Sequence, residues 1–240
     1  MEFANVYEDR KRAESYARLE FPGTYYLAYR DLPEIFAAHV KGKDALDFGC
    51  GTGRSTRFLR RFGFAAVGID ISEDMLVQAR VLDPDGEYWL VPDGDVSQLR
   101  GQSYDLVLSV FTFDNIPTRQ RKVALFGGLS DLLKPQGQIV SVVSSPEIYT
   151  HEWASFTTRD FPENRLAKSG DRVKIIMTDV EDRRPVEDIV WEEEAYRDVY
   201  DASGLTVVEM RKPLGRDDEP YRWVNETTIA PWTVYILRRT

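Results

Sequence analysis

The stretch ALDFGCGTGRST, residues 45–56, decides the fold. It begins with a short apolar run that predicts a strand, passes through three glycines at alternate positions and continues into a candidate helix, residues 52–62. Gly49, Gly51 and Gly53 have no Cβ atom, so the chain can turn sharply there and backbone N–H groups can approach a ligand. The segment is typical of a strand, a cofactor loop and a helix in an α/β protein.

Further strands and helices alternate along the chain outward from this segment. Runs rich in Val, Ile, Leu and aromatic residues predict strands, and apolar residues at three and four spacing predict helices. The strands are predicted at 45–48, 65–69, 87–91, 105–110 and 138–143, and the helices at 52–62, 73–82 and 119–133. Strand, helix, strand in repetition predicts a doubly wound, mostly parallel α/β sheet.

Local signals set some of the boundaries. Ser72 is expected to cap the second helix, Pro135 and Gly137 to stop the third, and Gly204 to end a helix over 192–203. Strands are expected again at 205–210 and 233–237. We expect one domain, residues 1–240, made of an N-terminal helical lid (1–43), a cofactor-binding core (44–144), a substrate-side insertion (145–190) and a closing helix and strands (191–240).

Composition narrows the function classes. The 240 residues have a net charge of −9, with 42% hydrophobic and 30% charged residues, which is ordinary for a folded chain. The negative charge disfavours nucleic acid and anionic membranes and favours a small-molecule partner. No apolar run suggests a membrane span or a signal peptide, so a cytoplasmic location is expected. One cysteine and two histidines argue against a metal site, and the oligomeric state is left open.

The glycine loop indicates a site for a cofactor that contains a nucleoside, and the residues considered so far leave two kinds of such cofactor possible. Asp70 ends the predicted strand that follows the loop, where an acid can accept hydrogen bonds from a ribose diol. A nicotinamide-dependent oxidoreductase would use the same features. Its fingerprint needs a glycine at the position of Arg54, which counts against that alternative.

Four motifs in order resemble those of class I S-adenosylmethionine-dependent methyltransferases of the bacterial small-molecule type. They are DFGCGTG at 47–53, GIDIS at 68–72, DGDVS at 93–97 and SYDLVLSVFTFDNIP at 103–117. The resemblance implies a Rossmann-like, seven-stranded sheet with S-adenosyl-L-methionine as the cofactor.

The resemblance also implies how the cofactor is held. Asp47 would hold its ammonium group, and Tyr16 and Arg30 would reach its carboxylate. The methionyl part and the sulfonium would be lined by Gly49, Cys50, Gly51, Gly53, Phe111 and Thr112.

At the other end of the cofactor, Asp70 would bind the ribose hydroxyls and Ile71 would lie against the adenine face. Asp95 would accept a hydrogen bond from the adenine amino group, and the Val96 N–H would lie near a ring nitrogen.

The reaction implied is an SN2 methyl transfer to a small-molecule acceptor, with a nitrogen or oxygen atom as the expected nucleophile. If a general base is needed, the candidates are His151, Glu147 and Asp114, which follow the fourth and fifth strands. The alternatives are an NAD-dependent oxidoreductase and a non-catalytic domain that binds S-adenosylmethionine.

Overall fold

Residues 21–240 are described by a computed structural model, and Tyr16, predicted to reach the cofactor, lies outside them. The helices are α1 (Thr24–Arg30), α2 (Leu32–His39), α3 (Arg54–Arg61), α4 (Glu73–Leu82), α5 (Arg119–Asp131) and α6 (Glu193–Ala202). The strands are β1 (Asp44–Phe48), β2 (Ala65–Asp70), β3 (Glu87–Leu90), β4 (Tyr104–Val110), β5 (Leu133–Ser144), β6 (Phe156–Thr157), β7 (Arg172–Met177), β8 (Val186–Ile189), β9 (Leu205–Arg211) and β10 (Trp232–Arg239). No helix in this part of the chain has the length and apolarity to cross a bilayer.

Seven strands form the main sheet in the order β3-β2-β1-β4-β5-β10-β9. The pairs from β3 to β5 are parallel, whereas β10 runs antiparallel to both of its neighbours. The prediction of a doubly wound, mostly parallel, seven-stranded sheet is confirmed. Because the strand order reverses direction between β1 and β4, the carboxyl ends of these two strands flank a crevice.

The boundary between α5 and β5 differs from the prediction. The helix ends at Asp131, and β5 already begins at Leu133, so Pro135 and Gly137 lie inside a strand and do not stop the helix. The ladder between β4 and β5 shifts register between Tyr104 and Leu106, and this irregularity accommodates a proline in the strand. A Cβ at Gly137 would lie 2.7 Å from the Tyr104 carbonyl oxygen, so the close approach requires glycine.

The predicted helix ends at Ser72 and Gly204 are confirmed. The Ser72 hydroxyl accepts a hydrogen bond from the Met75 N–H at 3.4 Å. Gly204 follows α6 with a φ of +69°, the left-handed conformation that favours glycine at this position.

Alternate residues of the central strands pack on the two faces of the sheet. Leu106 and Val140 face a cluster that includes residues of α1, α2 and α3. Val107 and Ile139 face a second cluster that includes residues of α5 and α6. Both faces of the parallel strands are therefore buried, as is usual for such sheets.

Residues 145–190 contain a small antiparallel sheet in the order β6-β7-β8. The Ala154 N–H of this segment donates to the buried carboxylate of Glu226 at 2.7 Å, and the Thr24 hydroxyl of α1 donates to the same oxygen at 2.6 Å. The Trp232 indole N–H also donates to the Thr24 carbonyl at 2.7 Å. These bonds join α1, the 145–190 segment and the start of β10 beside the carboxyl end of β5.

Candidate functional site

A crevice of about 170 Å3 lies at the carboxyl ends of β1, β2 and β4. Its walls come from the loops after these strands, together with side chains of α1, α3 and α5. Ligands of open α/β sheets bind at this edge. We call it the cofactor crevice, and it is lined among others by Tyr29, Gly49, Cys50, Gly51, Arg54, Asp70, Ile71, Phe111, Thr112 and Asn115.

The glycine loop shapes the floor of the cofactor crevice. Gly51 has a φ of +53°, and a Cβ placed on it would find no atom within 4 Å, because the residue faces open space. Gly49 has a φ of +73°, and a Cβ there would lie 2.2 Å from the Thr112 hydroxyl oxygen. The turn therefore needs glycine at both positions, in one case to face a ligand and in the other to admit the loop after β4.

Asp70 is fixed at the end of β2 by two backbone donors. Its Oδ2 accepts from the Gly51 N–H at 2.8 Å, and its Oδ1 accepts from the Ser72 N–H at 2.9 Å. Burial raises the pKa of Asp70, against the lowering by these hydrogen bonds. Each carboxylate oxygen retains a second lone pair, so the group can accept two further hydrogen bonds from a ligand diol.

Asp47 in β1 is completely buried behind the glycine loop. Its Oδ2 accepts hydrogen bonds from the hydroxyls of Ser55 and Thr56, both at 2.6 Å. Its Oδ1 is buried and has no hydrogen-bond partner among the described residues. Burial raises the pKa of Asp47 to about 6, in spite of the two hydroxyl donors. An ammonium group beside this carboxylate would give the buried acceptor the hydrogen-bond partner that it lacks within residues 21–240.

Arg54 is a residue of the crevice that the sequence prediction missed. Its guanidinium carbon lies 5.0 Å from the ring centre of Tyr25, 5.4 Å from that of Tyr29 and 5.8 Å from that of Phe21. These contacts hold the cation at the wall of the crevice. The signal was its position as the first residue of α3, because a cation is disfavoured at a helix N-terminus unless an anion lies nearby.

Arg30 does not reach the cofactor crevice, which corrects the prediction for this residue. Its guanidinium donates to Asp31, to Glu219 at 2.8 Å and to the Leu214 carbonyl at 2.8 Å. The side chain at the end of α1 is directed toward the loop before β10. The physical reason is this ion pair with two acids, which the local sequence pattern did not reveal.

The residues predicted at the adenine end are distributed over two adjoining spaces. Ile71 lines the cofactor crevice and is 39% exposed. Asp95 and Val96 line a neighbouring hollow that shares Asp93 and Gly94 with the crevice. The Asp95 Oδ1 accepts from the Ser97 N–H at 3.0 Å, and this carboxylate is exposed to solvent.

Phe111 and Thr112 leave β4 at the edge of the crevice. Phe111 has a φ of +65°, a strained conformation for a bulky side chain that is typical of functional sites. The Asn115 side-chain amide donates to the Phe111 carbonyl at 3.3 Å and supports this conformation. Phe111 and Asn115 also line a second space, which we call the acceptor cavity. These two residues form the junction between the two spaces.

Asp114 lies in the acceptor cavity and is 3% exposed. Its carboxylate accepts from the Ser144 N–H at 3.0 Å, from the Ser144 hydroxyl at 2.8 Å and from the Tyr196 hydroxyl at 3.4 Å. Burial raises the pKa of Asp114 to about 6. A carboxyl group with this pKa is ionised at neutral pH and can exchange a proton with an occupant of the cavity.

His151 and Glu147 lie outside both spaces, which corrects their prediction as general bases. The His151 Nδ1 lies 3.1 Å from the Glu147 carbonyl oxygen and 3.1 Å from the Thr150 hydroxyl. Glu147 is exposed to solvent. Ile148 and Tyr149 of the short helical turn 146–149 line the cavity in their place, which position along the chain alone could not indicate.

Cys50 is buried in the wall of the crevice, and burial raises the pKa of its thiol well above the usual value. A thiol with a raised pKa is a poor nucleophile, which agrees with a packing role for this residue. Within residues 21–240, no group of three or more His, Cys, Asp or Glu side chains is placed to hold a metal ion.

Comparison with known proteins connects this site to a family. Residues 46–141 match the family model described as "Methyltransferase domain". The chain is 38% identical over 104 residues to a demethylmenaquinone methyltransferase of Tropheryma whipplei, a match that covers 41% of each chain. It is 30% identical over 122 residues to a ubiquinone biosynthesis O-methyltransferase of Neisseria meningitidis, covering 48% of this chain and 50% of that protein. The matches span half or less of the length of these curated relatives.

A solved structure resembles nearly the whole chain. The CcbJ methyltransferase from Streptomyces caelestis has a TM-score of 0.67 with this protein over 98% of both chains, at 18% sequence identity. The likeness extends the shared fold beyond the residues matched by the family model, to the 145–190 segment and the closing strands.

Proposed function

We infer that this chain, a member of the class I S-adenosylmethionine-dependent methyltransferases, transfers a methyl group from that cofactor to a small-molecule acceptor. The family match over residues 46–141 and the fold support the reaction class. The names of the curated relatives concern small molecules, and this supports the acceptor class. The NAD-dependent oxidoreductase considered from the sequence has no support in these comparisons. The cytoplasmic location stays a prediction.

This proposal rests mainly on the hydrogen bond between the Asp70 carboxylate and the backbone of the glycine loop. Its carboxylate accepts the Gly51 N–H at 2.8 Å, and beyond Gly51 the crevice is open. An adenosyl ribose fits this arrangement, because its two hydroxyls can donate to the carboxylate while its substituents pass over a residue without a side chain.

The methionyl end would be held by opposite charges. Arg54, in the lining of the crevice, offers its guanidinium to a carboxylate, in the place that the sequence had assigned to Arg30. Asp47 lies behind that lining with its Oδ1 partnerless among the described residues, and its negative charge would favour an ammonium group in the adjoining part of the crevice. Phe111 and Thr112 would lie beside the sulfonium. When bound, the cofactor supplies a methyl group activated by a positively charged sulfur.

The protein's own contribution is positioning. Holding the acceptor in line with the methyl group and excluding water can contribute about 7–11 kcal/mol without a strong acid or base. Of the three predicted bases, Asp114 is the one in the acceptor cavity. We assign to it the removal of a proton from the acceptor where the acceptor binds in its protonated form.

Calorimetric titration with S-adenosylhomocysteine and with NAD tests the cofactor assignment. We expect binding of S-adenosylhomocysteine alone, weakened by about 1–3 kcal/mol in Asp70→Ala, because the substitution leaves two ribose hydroxyls without acceptors. Asp160→Asn, which changes an exposed acid, is the matched control.

Tight binding of NAD without binding of the thioether nucleoside would contradict the assignment. Catalysis is then tested by methyl transfer from labelled S-adenosylmethionine to a panel of acceptors. Affinity without turnover on any acceptor would favour the non-catalytic alternative.

A further inference from the structure

The acceptor cavity has a composition that the proposed function leaves unexplained. It lies between the loop after β4, the end of β5 and the small sheet of the 145–190 segment. Among residues 21–240, its lining includes two acids, Asp114 and Asp188, and no Lys, Arg or His. The other described lining residues are uncharged and mostly aromatic or aliphatic, with Asn115 and Ser144 as polar members, so the two acids are the charged side chains among them.

The two acids are held by different neighbours. Asp114 accepts from Ser144 and Tyr196, whereas Asp188 in β8 accepts from the Tyr149 hydroxyl at 3.1 Å. Two separate elements, the loop after β4 and strand β8, therefore bring carboxylates to one space. A fixed pair of carboxylates attracts a cation and repels an anion.

In the part of the chain that the structure describes, Lys122 of α5 is a cation near both acids, and it lies outside the lining of the cavity. Its ammonium donates to the Phe113 carbonyl and lies 4.9 Å from the ring centre of Trp191. Burial lowers the pKa of Lys122 to about 7, against the attraction of Asp114 and Asp188. Even a fully protonated lysine carries one positive charge against two carboxylates, so the described residues around the cavity favour a cationic occupant.

Aromatic rings complete the walls. The ring centres of Phe111 and Trp232 lie 4.5 Å apart, and those of Tyr25 and Phe156 lie 5.0 Å apart. Tyr25 and Trp232 also contact each other, and each of them contacts both Phe111 and Phe156. Such faces stabilise an alkylammonium group through its positive charge and its methylene groups. Phe111 belongs to this aromatic cluster and also lines the cofactor crevice, so the cluster reaches the junction between the two spaces.

The cavity is small, about 40 Å3. A space of this size takes a group of a few heavy atoms, since one water molecule needs roughly 10–15 Å3 by this kind of measure. The moiety that enters is therefore a short substituent and not a fused ring system.

Resting on the proposed methyltransferase function, we propose that the acceptor is an aliphatic amine, whose ammonium group enters the acceptor cavity between Asp114 and Asp188. One carboxylate takes a proton from the ammonium, and the amine lone pair becomes available. The nitrogen then forms a bond to the methyl carbon while the carbon–sulfur bond breaks and its electron pair stays on sulfur. The methylated ammonium product carries the positive charge and releases a proton to return to the amine.

Three probes with the same three-carbon chain test the charge preference without requiring turnover. Propylammonium, 1-propanol and propionate are titrated by ligand-observed NMR at pH 7.5 into the protein saturated with S-adenosylhomocysteine. We expect propylammonium to bind about tenfold more tightly than 1-propanol, the ratio that corresponds to one charge-assisted hydrogen bond, and propionate to bind least.

Asp188→Asn is the diagnostic variant, because it removes the charge and keeps an oxygen for the Tyr149 hydroxyl. It should reduce the preference for the ammonium, since Asp114 alone then remains as a charged acceptor in the described lining, and leave the affinity for S-adenosylhomocysteine unchanged, whereas Asp160→Asn should alter neither. Equal binding of amine and alcohol, tightest binding of propionate, or no binding of any probe overturns the amine proposal. Failure to bind S-adenosylhomocysteine would instead refute the proposed function.

Discussion

Asp47 places an ionisable group where water does not reach it. With its pKa raised to about 6, the folded chain binds a proton that the unfolded chain, with an ordinary aspartate, releases near pH 4. Below pH 4 both states are protonated and the burial of this residue carries no charge penalty. As the pH rises through 6, the folded state must bury a carboxylate, and the contribution of Asp47 to stability is lost.

The first prediction follows from the direction in which this contribution to stability changes with pH. The free energy of unfolding of the protein without ligand, relative to Asp47→Asn, should fall by about 3 kcal/mol between pH 4 and pH 7. Urea denaturation of both proteins across this range measures the difference. A difference that does not change with pH would mean that Asp47 titrates normally.

The second prediction concerns Arg54 and the carboxylate of the cofactor. Arg54→Met keeps an apolar stem against Tyr25 and Tyr29 but removes the charge. We expect binding of S-adenosylhomocysteine to weaken by about 1.5–3 kcal/mol, the contribution of a hydrogen bond to a charged group. Methylthioadenosine, which lacks the amino-acid part, should bind the variant as it binds the original protein.

Calorimetry with both nucleosides makes that comparison. Equal losses for the two would show that Arg54 supports the adenosine part of the site or the fold, and the assignment would be withdrawn.

Individual side chains of the site differed in how far the sequence revealed them. Asp70 and the glycines could be predicted, because their position in chain order determines where they lie relative to the strand ends. Arg30, His151 and Glu147 could not, because the direction of a side chain depends on partners far away in sequence, such as Glu219 for Arg30. Asp188 was missed for the same reason, since nothing near it in the chain indicates a cavity.

At the scale of elements, Glu226 joins segments that are far apart in the chain. Its Oε1 accepts from Thr24 in α1 and from Ala154 in the 145–190 segment, and its Oε2 accepts from the N–H groups of Val224 at 2.7 Å and Asn225 at 3.1 Å. The side chain is fully buried. One carboxylate therefore joins α1, the 145–190 segment and the loop before β10.

The third prediction is that Glu226→Gln destabilises the protein by about 1–3 kcal/mol, because an amide N–H2 would face donors in place of an acceptor oxygen. Chemical denaturation measures this loss, with the exposed Glu163→Gln as the matched control, expected within about 0.5 kcal/mol. A Glu226 variant as stable as the control would show that the segments are held by other contacts.

The elements were predictable where hydrophobic periodicity was strong. The strands and helices from residue 44 to residue 110 lie within a few residues of their predicted bounds, since each is amphipathic or wholly apolar. The start of β5 was not predictable, because its pairing with Tyr104 draws Leu133 into the sheet in spite of Pro135. The small sheet of residues 145–190 depends on pairing between short strands whose sequence mixes charges and prolines, so its topology could not be inferred locally.

For the whole molecule, the position of β10 determines how the sheet resists opening. It lies between β5 and β9 and pairs with both along its length. The fourth prediction is that amides of β4, β5 and β10 exchange with deuterium most slowly, and those of the edge strands β3 and β9 faster, because interior strands open only with the fold as a whole.

Hydrogen exchange followed by mass spectrometry from seconds to hours checks this order. Exchange of β10 as fast as that of β3 would mean that the antiparallel end of the sheet opens by itself.

The interior place of β10 also bears on how the protein is made. Ser144 at the end of β5 pairs with Trp232, a partner about 90 residues later in the chain. At roughly 5–20 residues per second, a ribosome needs several seconds or more to deliver that partner. During this interval the nascent chain presents the apolar edge of β5 without a neighbour, a natural target for chaperones and, where they are scarce, for aggregation.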